Sequence, residues 1–399
     1  MTDVQREFLN IARLQACGYA PPEPLRFAVS PKDVTAFARF QGMGLIAADF
    51  YLKKAPELEK RGMIILEESA VVAEGQKSGL RQFNDAELYK ALMFDADLGT
   101  AKKIFNELKI DFIPLKGAVM RGLYPEKWMR QSTDIDVLVR GREIGRAADA
   151  LREKGGFSLL KEGRHHFVMS GPTGWILELH HELTGGGTPA GEYLGRVWEF
   201  AEPASGHEHA LPDEFFHIYH LSHMAGHFGG GGCGVRPFLD LHIMNGVMKA
   251  ASEAALSAVS LEKFSRTADA LAEKWFGVSD GDAADEQTLR IEEMLLGGGL
   301  FGSKENEVLL KRSVSKSRAA YLRQRMILPA ADIKNKYPAA ARHGFLVPFY
   351  QMGRWFSALS PSKSGRVRSE VKITEQLTDE RISHARRLLR GLGIEDYVK

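Results

Sequence analysis

The segment Asp134-Ile135-Asp136-Val137-Leu138-Val139 constrains this chain more than any other. Four branched aliphatic residues interrupted only by two acids read as a β-strand. Side chains alternate across a strand, so Asp134 and Asp136 share one face with Leu138. Ile135, Val137 and Val139 point to the other face and predict a buried core. The two aspartate α-carbons are then about 6.5 Å apart. Carboxylates at that spacing repel each other unless water or a cation lies between them. They can converge on a divalent cation, Mg2+ or Mn2+, or on a pair of them. The plain alternative is an edge strand with its aspartates in solvent.

The surroundings supply the rest of a candidate site. Phe112 to Leu115 is a short apolar run ending at Lys116-Gly117, a strand entering a tight turn, with a short helix expected over 118–123. A glycine turn that opens a helix offers backbone N–H groups to a phosphate, and Lys116 adds positive charge. Arg130, four residues before Asp134, is placed to pair with the aspartates or to reach a phosphate. A helix over 143–154 should stop at Gly155-Gly156. Runs at 157–160, 166–169 and 175–180 follow, the last two joined as a hairpin. In the third, Glu178 and His180 share a face, with Leu177 and Leu179 opposite. Glu178 is a candidate third metal ligand or general base, and His180 a group that orients it or touches substrate. Taken singly, Lys116 and Arg130 read as surface side chains, and Glu178 and His180 equally as the outward face of a half-exposed strand.

The flanks read as helical. Ser30-Pro31 starts one helix, and Asn84 is expected to cap another with a break near its middle. From Asp213 the pattern is helical again. His217, His220, His223 and His227 fall within an arc of about 120° on one helix. His223 and His227 have the i, i+4 spacing of helical zinc ligands but lack the glutamate of a zinc-protease motif. Interface hydrogen bonding, metal binding and nucleotide or acceptor contact all remain open for them. Asp240 could accept a hydrogen bond from one of these histidines or sit on a helix surface. The basic run Lys311 to Arg318 reads as a solvated helix face.

With 399 residues the chain exceeds one simple core, and three parts are expected: 1–95 helical, 96–200 the sheet-bearing core, 201–399 helical. The formal net charge of +2 does not advertise nucleic-acid binding. Two cysteines far apart, Cys17 and Cys233, argue against a disulfide framework or a cysteine zinc site. No secretory h-region opens the chain and no run of 18 apolar residues occurs, so a cytoplasmic protein without a membrane span is expected.

The run Ile113-Pro114-Leu115-Lys116-Gly117, then Tyr124, then Arg130 followed by Asp134-Ile135-Asp136, resembles a family of nucleotidyltransferases within the polymerase-beta-like superfamily. That superfamily has a glycine turn at a helix start, then a strand bearing Asp-x-Asp. The branch adds an acid-x-His pair, matched by Glu178 and His180. The resemblance extends weakly through His223, His227 and Asp240. It implies an α+β fold, a small mixed-sheet nucleotidyltransferase core with helical N-terminal and C-terminal segments. It also implies metal-dependent transfer of a nucleoside monophosphate from an NTP to an unknown acceptor: small molecule, protein or RNA. Asp134, Asp136 and Glu178 would bind metal, and Lys116, Gly117, Arg130 and His180 the nucleotide. Two rivals remain: a catalytically silent nucleotide-binding or regulatory module, and a metal-dependent hydrolase centred on the histidine helix.

Overall fold

In a computed structural model of the full chain, residues 1–163, 166–183, 188–278, 286–358 and 361–398 are described. The fold is α+β. Two short strands, β1 (Leu25–Phe27) and β2 (Ile64–Leu66), pair in parallel as a small separate sheet that local patterning does not announce. The main sheet has seven strands: β3 (Phe112–Pro114), β4 (Ile135–Val139), β5 (Ser158–Glu162), β6 (His166–Ser170), β7 (Ile176–His180), β8 (Glu202–Ser205) and β9 (Glu208–Ala210). Their order is β5-β6-β7-β4-β3-β9-β8. The sheet is mixed. β4 runs antiparallel to β3 and parallel to β7, and the expected hairpin is the antiparallel β6–β7 pair. β8 and β9 extend the sheet beyond residue 200, where the sequence suggests the core should end.

The alternation in β4 sorts its side chains as expected. Ile135, Val137 and Val139 join Leu177, Leu179 and Phe112 in a core with the helices Glu74–Glu107 and Ile144–Gly155. Leu138, with Ile113 and Leu115, belongs to a second core on the other face. That core unites the N-terminal helix Asp3–Ala16 with the helices Asp213–Gly229 and Glu262–Phe276, so the two helical flanks pack together over the sheet. Burying both faces explains why β4 is entirely shielded while carrying a carboxylate in its middle.

Three local expectations change. Glu74–Glu107 is one uninterrupted helix of 34 residues. Asn84 lies inside it, 2% exposed, rather than capping it. No proline falls between 74 and 107, so nothing forces a break where the apolar stripe fades. Ser30 does precede the helix Pro31–Phe40, but its side chain makes no capping hydrogen bond. The helix after Lys116 is a single turn, Gly117–Met120, followed by a 3-10 turn, Arg121–Leu123. Gly156 ends the helix Ile144–Gly155 at φ 69°, the left-handed stop that glycine supplies. Among the described residues no helix is long and apolar enough to cross a membrane.

Candidate active site

The parallel register of β4 and β7 sets Asp136 opposite Glu178 and Leu138 opposite His180. Alternation puts Asp134 on the same face. The donor atoms of Asp134, Asp136 and Glu178 consequently lie within 4.8 Å of one another. They sit beneath the helix Asp213–Gly229, in the layer between the sheet and the helical flanks.

Lys116 closes the group from β3. Its backbone takes φ 40°, a left-handed value that a non-glycine residue adopts only when its surroundings insist. The Leu115 N–H donates to the Asp136 carbonyl at 3.0 Å, and the Val119 and Met120 N–H groups donate to the Lys116 carbonyl. The Lys116 ammonium thereby donates to Asp136 Oδ1 at 2.7 Å. Gly117 is required by close approach rather than by φ. A Cβ there would lie 2.2 Å from Ser132 Oγ and 2.9 Å from Arg130 Nη1.

The electrostatics separate the three carboxyls. Asp136 is 1% exposed. Burial opposes its charge, but Lys116 and a hydrogen-bonded His180 hold it well below the usual carboxylate range. His180 Nε2 lies 2.8 Å from Asp136 Oδ1 and 3.4 Å from Glu178 Oε2. Burial works against a charged His180, and those two carboxylates outweigh it, raising its pKa. The His180 hydrogen bond lowers that of Glu178. Asp134 goes the other way: burial and the charge of Asp136 push its pKa up, against the Lys116 charge and a 3.2 Å hydrogen bond from Thr133 Oγ1. Burial also opposes the Lys116 charge, and the Asp136 carboxylate, with Tyr219 close by, outweighs it.

Arg130 does not pair with these aspartates. Its guanidinium is 8% exposed and turns to Asp240. The Nη2–Oδ2 distance is 2.9 Å, and Nε donates to Oδ1 at 3.3 Å. Asp240 accepts a third hydrogen bond from the Tyr124 hydroxyl at 2.7 Å. Among the described residues no histidine hydrogen-bonds it: His220 Nε2 meets the Pro237 carbonyl instead. The long reach of an arginine, not its spacing along the strand, decides its partner.

The other histidines of the helix Asp213–Gly229 take hydrogen-bond partners other than the carboxylates. His217 Nε2 meets Asn245 Oδ1, and His223 and His227 share a 3.0 Å hydrogen bond between their Nε2 atoms. Burial, then the nearby Lys116 charge, lowers the pKa of both, that of His223 far down. Among the described residues, neither belongs to a group of three converging metal-ligand side chains.

Sequence reading missed Thr133, Tyr219 and Ser132. Thr133 adjoins Asp134, and that position is the signal for it, whereas nothing local marks Tyr219. It also passed over His166, which stands opposite His180 in the β6–β7 register. A cavity of about 320 Å³ opens beside Ser132 and Thr133, between Trp128 and Trp175. Lys90, Arg121, Arg130 and Arg236 line it against one carboxylate, Glu87. A larger cavity, about 830 Å³, lies among C-terminal helices and touches none of the site residues.

No curated protein and no solved structure matches the chain. A family described as "uncharacterised nucleotidyltransferase" matches residues 63–277. That stretch covers more than half of the chain and contains the entire seven-stranded sheet with its carboxylate cluster. This chain therefore belongs to that nucleotidyltransferase family.

Proposed function

We propose that the protein transfers a nucleoside monophosphate from an NTP to an acceptor, with Mg2+ or Mn2+ held by Asp134, Asp136 and Glu178. The observation that carries this reading is the convergence of three carboxylates within 4.8 Å on adjacent parallel strands. The donor chemistry fits a divalent cation. The set is all oxygen, and burial together with the Asp136 charge opposes the charge of Asp134, a cost that a cation relieves. Bound there, the cation supplies charge neutralisation for the triphosphate.

The chain's own residues do the positioning. Lys116, strained and still charged, is the cation nearest the carboxylates and the natural partner for phosphate oxygens. Gly117 keeps its turn close to Ser132. Thr133 orients Asp134, and His180 holds Asp136 and Glu178 in register. Arg130, committed to Asp240, acts as a positioning residue that pins the loop before β4. The cavity between Trp128 and Trp175 is of a size that small ligands use.

A second reading draws on one observation. Asp136 Oδ1 already receives both Lys116 and His180, so a silent nucleotide-binding module needs no metal to balance that charge. A pyrophosphate-release and thermal-shift screen of the four NTPs with Mg2+ or Mn2+ separates the two. Transfer predicts stabilisation plus pyrophosphate release, with release lost in Asp134→Asn. Stabilisation without release, even with candidate acceptors added, favours the silent module. No response to any nucleotide overturns both.

A further inference from the structure

Next to the three carboxylates lies a second donor set of different chemistry. β6 and β7 are antiparallel, and their register puts His166 directly opposite His180. Glu178, two residues before His180, is on the same face. Phe167, Leu177 and Leu179 point to the opposite face, into or against the core there. Two imidazoles and one carboxylate are thereby left together, with donor atoms of all three within 4.8 Å of one another. The rings are not stacked: their centroids are 5.2 Å apart and their planes 45° from each other. All three side chains are half-buried, and His180 Nε2 also lies 2.8 Å from Asp136 Oδ1.

We propose that His166, Glu178 and His180 form a second cation site, sharing Glu178 with the Asp134–Asp136 group, and that it takes a zinc-class transition metal rather than Mg2+. Donor type decides the occupant. Mg2+ favours oxygen and gives up its water reluctantly, whereas imidazole nitrogen favours Zn2+ and its neighbours in the transition series. Three protein donors, two of them histidines, match the ligand number of zinc sites that keep a position open. The two sets differ in the same respect: Asp134, Asp136 and Glu178 offer oxygen alone. The site rests on the β6–β7 register and does not require that the protein transfer nucleotides.

The test is calorimetric titration of the chelator-stripped full chain with ZnCl2 and, separately, MgCl2, with no nucleotide present. Wild type is compared with His166→Asn, Asp134→Asn and the double variant His223→Asn/His227→Asn, each checked for an unchanged melting temperature. His166→Asn should weaken Zn2+ binding by at least ~10-fold and leave Mg2+ binding unaltered. Asp134→Asn should weaken Mg2+ binding and spare Zn2+. Zinc affinity that survives His166→Asn, or that disappears in the His223/His227 variant instead, overturns the site. Should His166→Asn fold poorly, X-ray absorption of the zinc-loaded wild type decides. Two imidazole ligands together with a carboxylate are expected, and a shell of oxygen alone sinks the proposal. Because no step involves an NTP, a failure here is distinct from a failure of nucleotidyl transfer.

Discussion

Arg130 grips Asp240 with two nitrogens across 110 residues of chain, and both side chains are buried. The pair joins the loop before β4 to the helix Arg236–Val247. Tyr124 completes the acceptor side. A neutral residue at 240 would leave a buried guanidinium without its counter-charge. Asp240→Asn should cost about 3–5 kcal/mol in urea denaturation. The paired replacement Arg130→Met/Asp240→Leu should cost less than the single one. Additive losses would show that the two side chains act independently.

Asp134 and Asp136 should respond to the same substitution in opposite ways. A buried Asp136 charge neutralises Lys116 and His180, so Asp136→Asn should lower the melting temperature, by about 3 kcal/mol of stability. Burial and the Asp136 charge both oppose a charge on Asp134. Asp134→Asn should leave the melting temperature unchanged or raise it. Pyrophosphate release is expected to vanish in both. Equal destabilisation would contradict the asymmetry of their surroundings.

Gly117→Ala forces a Cβ against Ser132 Oγ and Arg130 Nη1. The expected loss is about 1–3 kcal/mol, the usual range for overpacking. Adding Ser132→Gly removes the nearer clash and should restore much of that loss in thermal melts. If the double variant is no better than Gly117→Ala, the close approach is not what demands glycine.

Burial lowers the pKa of His217, His220, His223, His227 and His242, whereas that of His180 is raised. An unfolded histidine titrates near about 6.5. Below that value the unfolded chain binds protons that the five depressed histidines cannot take in the fold. Their contribution is present above about pH 6.5 and is lost as pH falls toward their folded pKa values. His180 has the opposite sign: its contribution is full below about pH 6.5 and lost as pH rises through its folded pKa. Stability from urea melts should therefore fall between pH 7 and pH 5. A flat or rising profile would show that the buried histidines accept protons without penalty.

What the sequence determined by itself was local. Period-2 alternation placed Asp134 and Asp136 on one face of β4 and Glu178 with His180 on one face of β7, because side-chain direction in a strand depends only on neighbouring residues. The Lys116-Gly117 turn and the glycine stop at Gly156 were legible for the same reason. The tertiary structure decided which strands adjoin and which long side chains meet. Only the β4–β7 register brought Glu178 to Asp136, and only the β6–β7 register brought His166 to His180. Arg130 went to Asp240 rather than to the nearer Asp134. A guanidinium samples a wide sphere, and the helix that fills it comes from a segment 110 residues away. The merging of both helical flanks into one core, and the extension of the sheet by β8 and β9, were likewise beyond local patterning. An apolar stripe shows that a surface must be buried; it does not name the surface that covers it.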